Sequence, residues 1–264
     1  MKLLFRFHPT SRYSMAVLLG ALETDSRLVD LEIVAPRRFS IELVHRHIND
    51  EPVVIAYSIM STVRDEMLHE AQQIRREFGK RVILIGGGAH ATARPGDLIA
   101  HGFDYAVVGE GEQTIRDLMY ALMNDNTPNN LPGVVCHEDQ HHPIPRDLPH
   151  IDLDDYPPFA LKSNVGGPIE VTRGCPFACK FCCTPFLTGG RVRHRSIEQV
   201  AHWLELAVHK WGFERTWFLS PNALSYGGRG RRPSPDKFER LLLRASAIDG
   251  IKEIYFGTFP SEVR

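Results

Sequence analysis

Three cysteines close together in the second half of the chain are the residues best suited to chemistry. Cys175, Cys179 and Cys182 follow one another with the spacing C-x₃-C-x₂-C. Residues 168–173 before them have the pattern of a buried strand that runs into Gly174. Three thiolates on a short loop can hold three iron atoms of a four-iron cluster, which normally takes four cysteines. The pattern therefore predicts an iron–sulfur cluster with one open iron that can bind a small molecule.

A zinc site and a disulfide both fit these cysteines less well. Zinc takes four protein ligands, or three and a water, and its cysteine and histidine ligands follow other spacings. A disulfide is disfavoured because the five cysteines are an odd number and Arg6 interrupts the first apolar run, so we expect no secretory signal. We expect Cys183 to be a packing residue and Cys136 to be a buried strand side chain, not a fourth cluster ligand.

The first half of the chain alternates apolar runs with amphipathic segments. The expected strands are residues 2–7, 28–35, 52–58, 82–85 and 103–108, and the expected helices are residues 13–23, 41–48, 62–78 and the segment containing Ile115, Leu118, Met119 and Leu122. Strands that alternate with helices in this way predict an α/β fold with a doubly wound parallel sheet. Ligands of these sheets bind beyond the carboxyl ends of the strands.

Three loops lie at that edge of the predicted sheet: residues 58–60, residues 86–92 and residues 109–112. The second contains three consecutive glycines, which let a ligand approach the backbone closely. The G-x-G-x-x-G pattern of dinucleotide sites is absent from the sequence, so a dinucleotide site is disfavoured.

Composition excludes several classes of partner. The chain has 264 residues, 43% hydrophobic and 24% charged, with a formal net charge of −1. This balance gives no electrostatic reason to expect nucleic acid or a membrane surface as a partner. No apolar run approaches the length of a membrane span. We expect a cytoplasmic protein, because an exposed iron–sulfur cluster needs a reducing compartment.

The composition changes after the first half, and we divide the chain into three parts. Residues 1–125 form the first α/β domain, residues 126–164 a linker rich in turn residues, and residues 165–264 a β-α-β-α-β domain with the cysteine loop. Four basic residues follow this loop, and they form either an anion-binding patch or a solvated loop: Arg191, Arg193, His194 and Arg195. Polar residues after later strands are candidates to reach a ligand or to form turns: Ser220, Asn222, Ser261 and Glu262.

The cysteine motif on the turn after a strand resembles the radical S-adenosylmethionine enzymes. The resemblance implies that Cys175, Cys179 and Cys182 are the metal ligands of a [4Fe–4S] cluster and that the open iron binds S-adenosylmethionine. It places Phe181, the residue before the last cysteine, near the adenine. It also implies a partial barrel of βα units. Family barrels usually have six such units and this sequence stops after a third strand, so we expect a truncated or split barrel.

The three loops of the first half resemble the cobalamin-binding domain that precedes the barrel in many of these enzymes. The resemblance implies that the cofactor-binding residues are Ser58, Gly86, Gly87, Gly88, His90, Gly109, Glu110 and Gly111. His90 is as well explained as a structural loop residue, and Glu110 and Glu112 as favourable charges at a helix N-terminus. The Asp-x-His-x-x-Gly element of cobalamin mutases is missing, so His8 is not assigned as a cobalt ligand.

Together the two resemblances imply an enzyme that cleaves S-adenosylmethionine reductively to a 5′-deoxyadenosyl radical, for methylation or rearrangement of an unknown substrate. They imply an electron donor such as ferredoxin or flavodoxin, and a second chain could complete the barrel. No catalytic acid or base can be named. One alternative is an inactive or split module that binds cobalamin and a cluster. Another is a radical enzyme whose first domain does not bind cobalamin.

Overall fold

The computed structural model describes residues 1–48, 52–128, 130–136, 148, 150–177 and 179–257. The chain divides into two compact units, Met1–Pro149 and His150–Arg264. Each unit is an α/β structure with its own sheet.

The first unit is built on a six-stranded sheet with the order β2-β1-β3-β4-β5-β6. Its strands are β1 (Lys2–Arg6), β2 (Glu32–Val34), β3 (Val53–Ser58), β4 (Val82–Gly87), β5 (Tyr105–Val107) and β6 (Val134–Val135). The first five are parallel, whereas β6 pairs antiparallel with β5. The order reverses between β1 and β3, which is the switch point of a flavodoxin-like sheet.

The helices that connect these strands cover both faces of the sheet. They are α1 (Arg12–Thr24), α2 (Ile41–His47), α3 (Arg64–Phe78), α4 (Ala89–Ala93), α5 (Pro95–Ala100) and α6 (Gly111–Met123). One core cluster takes alternate residues of β3, including Val53 and Ile55, together with side chains of α2, α3 and α5. Helices α1 and α6 contribute no member to that cluster and pack against each other instead. Since side chains of a strand alternate between faces, these two helices cover the opposite face.

The second unit contains a parallel three-stranded sheet with the order β11-β10-β7 and a two-stranded antiparallel pair, β8 with β9. Its elements are β7 (Ile169–Glu170), β8 (Thr172–Arg173), α7 (Thr184–Thr188), β9 (Arg193–His194), α8 (Ile197–Trp211), β10 (Arg215–Leu219), α9 (Pro235–Ser246) and β11 (Glu253–Phe256). The predicted strand 168–173 changes partner in the middle: Val171 N donates to Leu219 O, and Arg195 N donates to Val171 O.

The predicted fold class is confirmed for both parts, a parallel α/β sheet followed by the start of a βα barrel. Several expected bounds differ: β2 is shorter than residues 28–35, and α4 and α5 were not predicted. Residues 134–135, which we placed in the linker, pair with β5 in the first sheet. None of the helices in the described part of the chain is long and apolar enough to cross a bilayer.

Candidate functional site

The carboxyl ends of β1 and β3 meet at the switch point of the first sheet, where ligands of such sheets bind. Ser58, the last residue of β3, is buried there, and its Oγ lies 3.2 Å from Ser14 Oγ in α1. Ser14 was not identified from the sequence, although its place one turn into the helix after β1 is a usable signal. The two hydroxyls put hydrogen-bonding groups at the edge predicted to hold a ligand.

The three consecutive glycines differ in whether the structure requires a glycine at their positions. A Cβ on Gly86 would lie 2.2 Å from Leu98 Cδ2, so packing against α5 accounts for this glycine. Gly88 has a φ of +93°, and a Cβ there would lie 2.9 Å from the backbone N and O of Ile59. A Cβ on Gly87 would make only ordinary contacts, the nearest at 3.7 Å with Val107. Packing and conformation therefore explain Gly86 and Gly88 but leave Gly87 without a structural reason.

His90 is buried at the start of α4, and both its ring nitrogens have partners within the first unit. Nδ1 lies 3.0 Å from Ser61 Oγ and Nε2 lies 2.8 Å from Asp97 Oδ2. Arg64 donates to the same carboxylate at 2.5 and 2.6 Å and is the main reason that the pKa of Asp97 is well below its ordinary value. This network gives His90 a structural role, and a direct contact with a cofactor stays a prediction.

The third predicted loop is held to the second by a hydrogen bond from Gly109 N to Thr92 Oγ1, 3.1 Å long. Gly109 has a φ of +80°, which favours glycine irrespective of any ligand. Glu110 precedes α6, Gly111 begins it, and Glu112 lies in its first turn. Both carboxylate side chains are buried, where the helix N-terminus favours their negative charge.

The residues at this edge fit a bound group. Ser58 offers a hydroxyl, Gly87 leaves the end of β4 without a side chain, and the loops after β3, β4 and β5 are fixed to one another. Ile59 N donates to Gly87 O at 2.8 Å, and His90 N donates to Ile59 O at 3.0 Å. The first unit thus presents a preformed set of loops at its switch point.

The cysteine loop begins with a backbone arrangement that only glycine allows. Gly174 has a φ of +87°, and a Cβ there would lie 2.1 Å from the carbonyl oxygen of Arg191. Cys175 N donates to Gly189 O at 3.1 Å, and Cys182 N donates to Cys179 O at 3.0 Å. These bonds close a compact loop at the end of β8.

The three cysteines of the loop are free thiols, Cys175 half-buried and Cys179 and Cys182 exposed. Cys182 Sγ lies 3.3 Å from Thr184 Oγ1, and this hydrogen bond lowers the pKa of the thiol, which favours the thiolate that a metal needs. Among the described residues, no three Cys, His, Asp or Glu side chains converge on one metal ion. A four-iron cluster binds each cysteine through a different iron, so it does not require that convergence.

The remaining two cysteines, Cys136 and Cys183, were not expected to be ligands. Cys136 is buried directly after β6 in the first unit, which confirms the expected burial. Cys183 is exposed beside Cys182 and precedes α7 without a side-chain cap. The exposure of Cys183 differs from the packing role that we expected for it.

Phe181 is 94% exposed, and Phe177 and Phe186 in the same region are also exposed. Large exposed aromatic side chains next to exposed thiols mark a surface that a bound molecule can cover. The predicted contact between Phe181 and an adenine is compatible with this exposure.

The arginines after the cysteine loop do not form a solvated loop. Arg195 is 2% exposed, and its guanidinium donates to Tyr156 O at 2.9 Å and Glu170 O at 3.2 Å. Arg193 donates to Ile151 O and Thr188 O. Backbone carbonyls accept hydrogen bonds from the guanidinium groups of both arginines. Of the three arginines, only Arg191 is exposed.

The polar residues after β10 form a turn. Asn222 Oδ1 accepts from Leu224 N at 3.2 Å, and Ser220 Oγ donates to Asn222 O at 2.6 Å. This geometry favours a role in the turn over ligand contact. Ser261 and Glu262 lie outside the described residues.

Comparison with known proteins identifies both units. Residues 4–119 match the B12 binding domain and residues 169–263 match the Radical SAM superfamily. A relative from Chlorobaculum tepidum, bacteriochlorophyllide d C-8(2)-methyltransferase, is 31% identical over 207 residues, which are 72% of this chain and 43% of the relative. This chain thus spans less than half the length of the curated relatives it matches first.

Solved structures agree on the fold. The cobalamin-dependent S-adenosylmethionine radical enzyme OxsB, with aqua-cobalamin bound, has a TM-score of 0.66 at 16% identity over 96% of this chain and 38% of its own. The radical S-adenosylmethionine methyltransferase TsrM from Kitasatospora setae has a TM-score of 0.57 at 19% identity, over 82% of this chain and 48% of its own. With a B12-binding unit followed by a radical S-adenosylmethionine unit, the chain belongs to the radical S-adenosylmethionine proteins that carry an N-terminal cobalamin-binding domain.

Proposed function

We propose that the chain holds a [4Fe–4S] cluster on Cys175, Cys179 and Cys182 and cobalamin at the switch point of its first sheet, and that it serves reductive cleavage of S-adenosylmethionine for methylation or rearrangement of a substrate. The cysteine loop carries the proposal. Its three thiols are free of disulfides, two of them are exposed, and the backbone at Gly174 fixes where the loop leaves the strand.

When bound, the cluster supplies the electron that splits S-adenosylmethionine into methionine and a 5′-deoxyadenosyl radical, and cobalamin supplies a carrier for a methyl group. The chain's own residues bind and orient these groups. Thr184 favours the thiolate of Cys182, and the exposed ring of Phe181 offers a surface for the adenine. In the first unit, Ser58 and Gly87 leave a polar and open edge for the nucleotide tail of cobalamin.

The relatives support methyl transfer as the outcome. The Chlorobaculum relative is named as a methyltransferase, and a relative from Methylococcus capsulatus as hopanoid C-3 methylase. We assign residues 1–125 to the cobalamin domain and residues 165–264 to the barrel. A one-electron donor such as ferredoxin or flavodoxin and an unknown substrate belong to the same proposal.

The test compares two neighbouring cysteines. The wild type, Cys179→Ala and the control Cys183→Ala are purified without oxygen and loaded with iron and sulfide. We then measure the iron and sulfide content and the amount of bound hydroxocobalamin. In the same samples we measure the 5′-deoxyadenosine that forms from added S-adenosylmethionine with dithionite as the reductant. We expect Cys179→Ala to lose the cluster and the nucleoside, and Cys183→Ala to keep both.

The outcomes separate the alternatives. Corrinoid binding with nucleoside formation by the wild type supports the whole proposal. Corrinoid binding without the nucleoside favours a binding module. A Cys179→Ala variant that still forms the nucleoside contradicts the ligand assignment.

A further inference from the structure

A turn rich in arginine lies against the cysteine loop. Arg229 and Arg232 exchange two backbone hydrogen bonds of 3.0 Å, and Gly230 between them has a φ of +58°. From this turn, Arg231 Nε donates to Pro176 O at 3.4 Å, and its Cζ lies 5.7 Å from the centre of the Phe177 ring. The contact places a cation on the face of an aromatic ring inside the loop.

Exposed cations lie in the cysteine loop itself and in two segments that contact it. Lys180 lies within the loop, and the carbonyl of Arg191 packs on Gly174 at its start. We call these exposed side chains the arginine face: Lys180, Arg191, Arg229, Arg231 and Arg232. In the described part of the chain none of the five takes part in an ion pair.

The sequence around the arginine face contains no compensating acid. Residues 171–197 and residues 215–235 include no Asp or Glu, although the whole chain has a net charge of −1. The positive charge is therefore local, and it faces solvent where the thiols are exposed. Such a one-signed patch attracts a partner of opposite charge and speeds its association.

We propose that the arginine face binds the acidic surface of a one-electron donor protein. Its cations are exposed and spread over a turn, a loop and a following segment, which suits a broad protein surface. A small anion needs donors that converge in a pocket. The exposed ring of Phe177 adds apolar contact area beside the charges. The identity of the partner rests on the proposed function, whereas the charged face itself does not.

The position of the arginine face is suited to electron transfer from a bound donor to the cluster. A donor bound there contacts the loop that carries Cys179 and Cys182, the exposed ligands proposed for the cluster. In the transfer, the reduced donor gives up one electron and the cluster gains that electron, and no bond forms or breaks. The donor leaves in its oxidised form.

The test uses a matched pair of variants of the cluster-loaded chain. One combines Arg229→Gln, Arg231→Gln and Arg232→Gln. The control combines Arg46→Gln, Arg76→Gln and Lys80→Gln, which removes three cations from the first unit. Binding of an oxidised acidic [2Fe–2S] ferredoxin is measured by calorimetry at several salt concentrations. Cluster reduction is followed by absorbance with reduced ferredoxin and, separately, with dithionite.

We expect the arginine variant to bind ferredoxin on the order of tenfold more weakly at low salt, with a shallower salt dependence. Reduction by ferredoxin should slow in parallel, while reduction by dithionite and the iron content stay at wild-type values. The control should bind as the wild type does. Replacing the same three arginines with lysine should restore most of the binding, since lysine keeps the charge.

Three results would overturn the proposal. One is unchanged ferredoxin binding by the arginine variant at low salt. Another is loss of S-adenosylmethionine binding with ferredoxin binding intact, which would make the face a site for a small anion. The third is a single-stranded RNA that displaces ferredoxin at equal ionic strength and binds more tightly. Failure of the proposed function is separate, because it would show as missing cluster or missing nucleoside with dithionite.

Discussion

Asp97 Oδ2 lies 2.8 Å from His90 Nε2, and the same carboxylate accepts two hydrogen bonds from Arg64. On its other side, His90 Nδ1 lies 3.0 Å from Ser61 Oγ. The loop after β3 and the loop after β4 are thereby joined through side chains of α3 and α5. These two loops border the predicted cobalamin site. The network is therefore placed to hold the loops of that site in position.

Removing the charge of Asp97 should loosen both loops. We expect Asp97→Asn to lower the free energy of unfolding of the first unit by about 1–3 kcal/mol, because Arg64 and buried His90 lose a charged partner. Hydroxocobalamin affinity should fall as well. Urea unfolding followed by circular dichroism measures the first effect. All three tryptophans lie in the second unit, so their fluorescence shows whether that unit is unchanged.

Asp65→Asn is the control for Asp97→Asn. Asp65 also pairs with Arg64, but its side chain is 91% exposed, and exposed pairs contribute little. We expect a change within about 0.5 kcal/mol. Equal losses in the two variants would contradict a supporting role for the buried network.

Acid should destabilise the first unit through Asp25. Arg27 and Arg116 donate to its buried carboxylate, and the Arg27 hydrogen bond is the main reason that its pKa is well below the ordinary value. The folded chain therefore binds fewer protons than the unfolded chain, and this stabilisation is complete above the unfolded pKa of about 4. It is lost as the pH falls from there towards the folded pKa.

The variant Asp25→Asn isolates this contribution. Urea unfolding from pH 7 to pH 3 should show the variant less stable than the wild type at pH 7. The difference should narrow below pH 4, because Asp25 of the unfolded wild-type chain then takes up a proton that Asp25 of the folded chain does not. If the free energies of unfolding of the variant and the wild type differed by the same amount from pH 7 to pH 3, Asp25 would not be the cause of the pH dependence.

Local signals were sufficient for most of the secondary structure. The apolar run at residues 52–58 predicted β3, whose six residues are all buried. The start and the end of α8 have equally local signals, the capping residues Ser196 and Gly212. Ser196 Oγ accepts from Gln199 N, and Gly212 takes the left-handed conformation. These features depend on residues within one or two turns, so a single sequence contains them.

Contacts between segments that are distant in the chain could not be predicted from the sequence patterns. Arg195 is buried because the carbonyls of Tyr156 and Glu170 accept from it, and neither is near it in the chain. The Ser61–His90–Asp97 network likewise joins three separate segments. Charge and spacing near the cysteines could therefore suggest a basic patch but not which arginines face solvent.

Gly87 offers a test of the cobalamin edge that spares the fold. A Cβ at this position would come no closer than 3.7 Å to any atom, so Gly87→Ala should unfold like the wild type. If the nucleotide tail lies against the end of β4, the added methyl group should weaken hydroxocobalamin binding on the order of tenfold. Spectroscopic titration measures this. Unchanged affinity would place the tail elsewhere.

Gly174 should be indispensable to the cysteine loop. In Gly174→Ala the Cβ would lie 2.1 Å from the carbonyl oxygen of Arg191, a backbone atom that cannot turn away as a flexible side chain can. The left-handed φ adds about 1–2 kcal/mol of strain. We expect tryptophan fluorescence to show a less stable second unit. Iron content after reconstitution should fall well below the wild-type value, because the loop cannot leave β8 in the direction that brings the cysteines together.

Gly190→Ala is the matched control, because Gly190 lies near the same loop but has space. Its Cβ would meet nothing closer than Cys175 O at 4.0 Å, and its φ is not in the left-handed region. This variant should take up iron as the wild type does. If it lost iron as completely as Gly174→Ala, the loss would reflect general sensitivity of the loop to added bulk. Normal iron uptake in the control would instead tie cluster assembly to the backbone turn at Gly174.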